Sequence, residues 1–267
     1  MRLRVLTWNL FHGRDFPPDP RLRTLRSRIL RLDERNDTHI QVNRDLLPEF
    51  SGLLAGAEWD VAALQECPPR WAHALARATG AEAHVVLTSR NSLGALRALL
   101  ARQNPDLIAS NEGGSNVTLA RPPAGRIAER KELELRSQPE RRALAFSRLD
   151  SGICVANLHA STADAEAQEE LLLAARTAIE WAADAPLVLA GDFNVRPGQS
   201  GVFDELRRRF GFSEPGDPRS IDHVLARGLE LVDGPVAWPP ERREVPERGL
   251  ALRLSDHAPV TAELRVR

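Results

Sequence analysis

Lysine is nearly absent from this chain: Lys131 stands alone against a background of arginine. Tyrosine is missing altogether, and cysteine occurs twice in 267 residues. Cys67 and Cys154 lie inside or beside apolar runs. They read as free buried thiols, and nothing in them calls for a disulfide scaffold or an oxidising compartment. Aromatic residues make up only 5% of the chain, too few to advertise a platform for stacking single-stranded bases. Neither sign of charge is in excess, the formal net charge being −1, so there is no global basic field for nucleic acid. No apolar run is long enough to cross a bilayer, and no charged-then-apolar leader precedes Leu3. The expectation is a soluble, cytoplasmic protein with no membrane span and no obligate protein partner. The arginine skew suits bidentate phosphate contacts, and a GC-rich coding bias produces the same skew.

What is present is an ordinary globular balance, 42% hydrophobic and 27% charged, with ample length for a sizeable core. Period-two or continuous apolar runs predict strands at 3–10, 61–64, 85–87, 117–120, 127–135, 143–149, 153–158, 187–191, 221–225 and 258–264. Helical spacing predicts helices over 21–35, 42–54, 71–79, 92–102, 163–183 and 202–210, with Asn91 or Ser92 as an N-cap. In the first of these, Leu22, Leu25, Ile29 and Leu32 share one face and arginines fill the rest, a solvated face by preference. A polar loop is expected at 110–116. Strands outnumber helices in the second half, which fits mixed sheets covered by helices, an α/β (α+β) class, better than one parallel sheet. With no repeat and no linker, a single domain over 1–267 is expected.

The chain is organised around Leu187-Val188-Leu189-Ala190-Gly191-Asp192-Phe193-Asn194. An apolar strand stops at a glycine, and an acid and an amide follow two positions apart. Extended backbone points such side chains the same way. Five other strand-like runs hand over to comparable groups: Asn9, Gln65-Glu66, Asn157-Leu158-His159, Ile221-Asp222-His223 and Ser255-Asp256-His257. Each alone reads equally well as a cap or turn. Together they supply acids for a hard cation, imidazoles that titrate near neutrality and amides that donate to phosphate oxygens. Metal-assisted hydrolysis of a phosphate ester needs that set. His12, His39, His73, His84 and His223 are expected in surface or structural roles.

These pieces, with Thr7-Trp8-Asn9 at the start, resemble the motifs of the endonuclease/exonuclease/phosphatase superfamily, in family order and over positions 7 to 257. The resemblance implies a four-layer sandwich, two mixed β-sheets packed face to face with helices outside and the active site at one edge. It implies Mg²⁺ or Mn²⁺ held by Glu66, with Asn9 and Asp256 in or near its shell. It further implies that Asp192 orients or deprotonates the attacking water and that Asn194 holds the scissile phosphate or a second metal. His257 would be the general base, steered by Asp222, and His159 would contact the phosphate and protonate the leaving oxygen. The missing tyrosine, together with Phe11 where an acid is expected, sets the chain apart from the abasic-site endonucleases. His159 groups it with the histidine-using branch that includes pancreatic-type deoxyribonucleases.

Two segments, near 13–41 and 88–114, are longer than the resemblance requires, and the first, starting at the end of a site-bearing strand, is expected to border the cleft. Asn116 is expected to face the phosphate or to serve as a turn residue. Arg141 or Arg142 is the candidate arginine clamp, with a solvated edge pair as the other reading. The expected activity is hydrolysis of a phosphodiester by in-line water attack, DNA or RNA first. A monoesterase on a sugar, inositol or nucleotide phosphate follows, and then a sphingomyelinase-like enzyme. The rival from another class is a catalytically silent binding module that keeps the fold.

Overall fold

Alternation along the strands divides their side chains between two apolar layers, and that division organises the molecule. The computed structural model describes residues 1–89 and 94–266. The chain begins with β1 (Arg2–Asn9), α1 (Leu25–Leu30), β2 (Glu34–Arg35), β3 (Ile40–Gln41) and α2 (Leu47–Gly56). It continues through β4 (Val61–Cys67), α3 (Ala72–Thr79), β5 (Glu82–Thr88), α4 (Gly94–Gln103), α5 (Pro105–Glu112) and β6 (Gly114–Ala120). Next come β7 (Ile127–Arg136), β8 (Arg142–Leu149), β9 (Cys154–His159), α6 (Asp164–Ala182), β10 (Leu187–Asp192) and α7 (Val202–Phe210). The chain closes with β11 (Asp222–Arg227), β12 (Leu229–Ala237), β13 (Glu244–Glu247), β14 (Leu250–Arg253) and β15 (Val260–Val266).

Six strands form one mixed sheet in the order β12-β15-β1-β4-β6-β5, and five form the other, β11-β10-β9-β8-β7. In each, one central pair is parallel, β1 with β4 and β10 with β9, and the other pairings are antiparallel. Leu3, Val5, Val61 and Ala63 of the first sheet meet Val155, Val188, Ala190 and Val224 of the second in a shared core. The opposite side chains of β1, Leu6 and Trp8, pack outward against Phe50 and Leu54 of α2 and Leu75 of α3. On the far side, Leu158 and Leu189 pack with Leu171 and Ala175 of α6 and Phe203 and Leu206 of α7. The result is four layers, helix, sheet, sheet, helix. Full burial of each such side chain contributes about 1.5–3 kcal/mol. Cys67 and Cys154 are buried and form no disulfide with each other.

Several local expectations shift. The helix expected over 21–35 shrinks to one 3₁₀ turn at Pro20–Leu22 and the short α1. Its apolar stripe finds no core: Leu25 is 68% exposed and Ile29 57%. Arg31, at φ 55°, ends α1 in the left-handed region. Helix α2 starts at Leu47 rather than at 42, with Pro48 in its first turn, and Val42 donates its N–H to Asp15 Oδ2 (3.1 Å). Asn104 caps α5, which takes in 110–112 of the expected loop, and Asn116 lies within β6. The expected N-cap at Asn91 or Ser92 lies outside the described residues. Strand β12 has no counterpart among the expected strands, and its two register breaks explain why its alternation is hard to read.

Candidate active site

The parallel pairing of β1 with β4 and of β9 with β10 brings four strand ends to one edge of the sandwich. Asn9 lies opposite Gln65, and Asp192 lies opposite His159 on one side and Asp222 on the other. The approach to β15 delivers Ser255-Asp256-His257 beside them: Ser255 Oγ donates to Asn9 O (2.7 Å) and Trp8 Nε1 to His257 O (3.0 Å). Gly191 is required for the local backbone. Its φ is +151°, and a Cβ there would lie 1.8 Å from Leu158 O on the neighbouring strand. Glu66 (φ 48°), Asn194 (φ 51°), Ser255 (φ 59°) and His12 (φ 53°) are all left-handed, a cost of about 1–3 kcal/mol each that gathers at this edge.

Asp192 is the hub. Its Oδ2 accepts from Asn9 Nδ2 at 3.0 Å and lies 3.6 Å from His159 Nε2 and 3.8 Å from His257 Nε2. Its Oδ1 accepts the Asn194 N–H at 3.0 Å. His257 Nδ1 lies 2.8 Å from Asp222 Oδ2, so the carboxylate fixes the ring and leaves Nε2 facing Asp192. Burial opposes charge on His257, but Asp222, then Asp192 and Asp256, outweigh it and push its pKa up to about 10. Burial, and after it Asp222, raises Asp192. His159 is fully inside, and burial followed by the Arg142 guanidinium brings it down to about 3, a neutral ring. Arg142 Nη1 lies 3.3 Å from His159 Nδ1, which leaves the proton on Nε2, toward the acids.

Glu66 faces this group from β4, with Oε2 3.2 Å from His12 Nε2 and Oε1 3.9 Å from His159 Nε2. Burial would raise its carboxyl, yet His12, His159 and His257 hold it below the usual value. Asp256 is raised by burial and, against the pull of His257, by Glu66. Asp256 Oδ1 is buried without a hydrogen-bond partner among the described residues. Asp192, Asp222 and His257 present three potential ligand atoms within 4.8 Å of one another, a set different from Glu66, Asn9 and Asp256.

Asn9, Glu66, His159, Asp192, Asp222, Asp256 and His257 thus share one edge. Asn194 is at the same edge, related to Asp192 by a turn rather than by strand alternation, and its Nδ2 donates to Ala160 O (2.9 Å). Arg142 is buried against His159, while Arg141 pairs with Glu134 at 3.2 Å. Asn116 lies between the sheets, its Nδ2 donating to Ala143 O at 2.8 Å. Asn157 and Gln65, both motif members, also lie between the sheets: Gln65 Nε2 donates to Asn157 Oδ1 (2.8 Å), and Asn157 Nδ2 donates to Leu64 O and Val117 O. His12 departs from its expected structural or surface role by contacting Glu66. Its place just beyond the Trp8-Asn9 strand end was the available signal. His223 keeps a structural role, packed on Phe193 and Phe203 with Nε2 3.1 Å from Val195 O.

Buried acids and imidazoles thus gather at the shared edge of two packed mixed sheets. The chain belongs to the endonuclease/exonuclease/phosphatase family, whose sequence profile matches residues 6–257. Members of the family are phosphoric ester hydrolases and generally depend on a divalent metal. Among solved structures, a family protein from Bacteroides thetaiotaomicron is 17% identical, with a TM-score of 0.63 over 100% of this chain and 98% of that one. A mannosyl-6-phosphatase from Bacteroides thetaiotaomicron VPI-5482 is 16% identical, with a TM-score of 0.60 over 98% and 99%. Truncated TDP2 from Caenorhabditis elegans is 11% identical, with a TM-score of 0.56 over 99% and 98%. No curated protein matches the chain. At these identities the likeness carries the fold alone. No helix among the described residues is long and apolar enough to cross a membrane.

Proposed function

We propose that this protein hydrolyses a small phosphate ester by in-line attack of water, assisted by Mg²⁺ or Mn²⁺. The observation that carries the reading is the Asp222–His257 pair at 2.8 Å, aimed at Asp192, with neutral His159 on the other side of that carboxylate. A hard cation fits the acids beside it. Glu66 and Asp256 are oxygen ligands that repel each other, and the buried Asp256 Oδ1 has no hydrogen bond among the described residues. Glu66 and Asp256 would hold the ion, with Asn9 beside them. When bound, it supplies Lewis-acid stabilisation of charge on the phosphoryl oxygens. Asp192 and His257 act as one proton-sharing unit that orients water and accepts its proton, and Asp222 balances the charge on His257. His159, neutral, donates Nε2–H to a phosphoryl oxygen. Arg142 holds that ring in the required tautomer, and Asn194 fixes the loop after His159.

A small substrate is favoured over a polymer by the rim. The cleft of about 630 Å³ is bordered by Glu66, Glu140 and Glu166 against Arg142. A nucleic acid needs the opposite balance along its track. The test is turnover. Purified protein with Mg²⁺ is expected to cleave p-nitrophenyl or bis(p-nitrophenyl) phosphate, to stop with EDTA, and to lose roughly 10²–10⁴-fold in rate in Asp192→Ala or His257→Ala. Undiminished activity in both variants sinks the mechanism. A panel of sugar phosphates, inositol phosphates, plasmid DNA and RNA tests the substrate class, and steep salt inhibition on DNA would reinstate nucleic acid.

A further inference from the structure

Directly beyond the β1 strand end lies a second cavity, of about 400 Å³, separate from the cleft at Glu66 and Arg142. Residues between Phe11 and Gln41 build it together with Asp106 of α5. Arg28 Nη2 donates to Asp106 O (3.0 Å), and Gln41 Nε2 donates to Asp106 Oδ2 (2.5 Å). Phe11 and Phe16 form an apolar wall, with ring centroids 5.6 Å apart and edge to face. Arg14 lies over the Phe11 ring at 3.8 Å and Arg23 over Phe16 at 4.0 Å.

Two acceptors in this lining are hard to explain as core. Asp15 is 5% exposed and Gln41 4%. Asp15 Oδ2 accepts from Val42 N, and Gln41 Nε2 is used by Asp106 and Val42 O. The other oxygen of each, Asp15 Oδ1 and Gln41 Oε1, is buried with no hydrogen-bond partner among the described residues. An unmet buried acceptor costs about 1–3 kcal/mol, so two of them on residues that line one cavity point to a ligand that brings donors. The same lining carries guanidinium groups, which serve a ligand's acceptors, and aromatic walls, which suit an apolar ring face. Groups that donate and accept at each carbon around a ring with apolar faces are hydroxyls.

We infer that this cavity binds the polyhydroxylated part of the substrate, a sugar or cyclitol ring, and so selects the leaving group. The inference rests on the phosphoesterase reading above. The cavity is joined to the reaction centre by its own wall. The Phe11 N–H donates to Asn9 Oδ1 (2.9 Å), Arg14 O accepts from Ser255 N (3.0 Å), and the Arg14 charge interacts with Glu66 and Asp256. Asp15 sits under burial and the Asp106 charge, both of which raise its pKa, so it accepts or donates to a hydroxyl according to its proton.

The experiment separates binding from chemistry by using unphosphorylated rings. Saturation-transfer NMR and calorimetry with glucose, mannose and myo-inositol are run on the full chain in EDTA, where no hydrolysis is possible. At least one ring is expected to bind the wild type, and Asp15→Asn and Gln41→Leu are expected to weaken it at least tenfold. Arg23→Ala, at the exposed rim, provides a variant that leaves the buried network whole and is expected to weaken the ring several-fold. In turnover, the ratio of kcat/KM for hexose or inositol phosphate over p-nitrophenyl phosphate is expected to fall by the same factors, through KM. Failure of all three rings to bind, or equal binding by all the variants, overturns the inference even if ester hydrolysis persists. Ring binding without hydrolysis of any ester instead overturns the phosphoesterase reading and leaves the cavity assigned.

Discussion

Replacing Asp222 by asparagine tests the charge arrangement at the centre of the site. The amide keeps an oxygen to accept from His257 Nδ1, so the ring stays oriented while the anion 2.8 Å away is removed. Raising His257 from 6.5 to about 10 corresponds to about 5 kcal/mol of preference for the imidazolium. Asp222 is the largest of the groups that raise it, by charge and by hydrogen bond, so its share is on the order of 3 kcal/mol, or roughly two pH units. Removal of an anion disfavours the cation, and the His257 midpoint moves down. Asp192, no longer facing the Asp222 charge, also ionises at lower pH. The linkage sign follows from a raised histidine. Its stabilisation is complete below 6.5 and is lost as pH rises through about 10. The stability deficit of Asp222→Asn relative to the wild type is therefore largest below 6.5 and narrows across that window. The assay is a histidine-labelled NMR titration in EDTA, with the His257 signal assigned from His257→Gln, alongside urea melts at several pH values. A His257 midpoint that moves by less than about half a pH unit would refute the electrostatic account of the pair.

Three further outcomes are expected. Gly191→Ala places a methyl 1.8 Å from Leu158 O, and urea unfolding is expected to show a loss of about 3 kcal/mol or more; a loss under about 1 kcal/mol would mean the strands separate freely. Burial, then Arg130, lowers His84 to about 4, and its Nδ1 lies 3.0 Å from Ser147 Oγ. Its contribution to stability is complete above 6.5 and is lost as pH falls toward 4, on the order of 2–3 kcal/mol. His84→Gln should flatten that part of the stability profile, and an unaltered slope would remove His84 as its source. Glu66→Gln is expected to weaken Mn²⁺ binding, read by calorimetry, by about 10–100-fold, and wild-type affinity would take Glu66 out of the cation site.

The strand ends were legible because a buried strand finishing in an acid, amide or imidazole breaks the apolar pattern in a way a core cannot absorb. Asn9, Glu66, His159, Asp192, Asp222, Asp256 and His257 each break the pattern in that way, and the fold brings them to one edge. Helix α1 is shorter than its spacing predicts, because arginine and leucine at helical spacing look the same whether or not a core waits beneath the leucines. The place of His12 is not legible in the sequence, because its contact with Glu66 depends on two consecutive left-handed residues, Phe11 and His12, and spacing does not announce a backbone turn. The cavity at Asp15 and Gln41 was out of reach for another reason. Its walls come from segments far apart in the chain, and only their meeting leaves two oxygens unanswered. Asn157 and Gln65 carry the opposite lesson, since motif amides beside an active site can belong to the scaffold.

That scaffold pair governs how the two halves of the site are aligned. Glu66 and Asn9 ride on one sheet, and His159, Asp192 and Asp222 ride on the other. Apolar packing between the sheets has no preferred registration, since hydrophobic contact is non-directional. The Gln65–Asn157 amides do have one, because they bond to each other and reach Leu64 O and Val117 O across the gap. They work as a dowel between two plates: sliding either sheet by one residue strands these buried amides and the carbonyls they serve. The edge where the two half-sites meet inherits its tolerance from that buried peg.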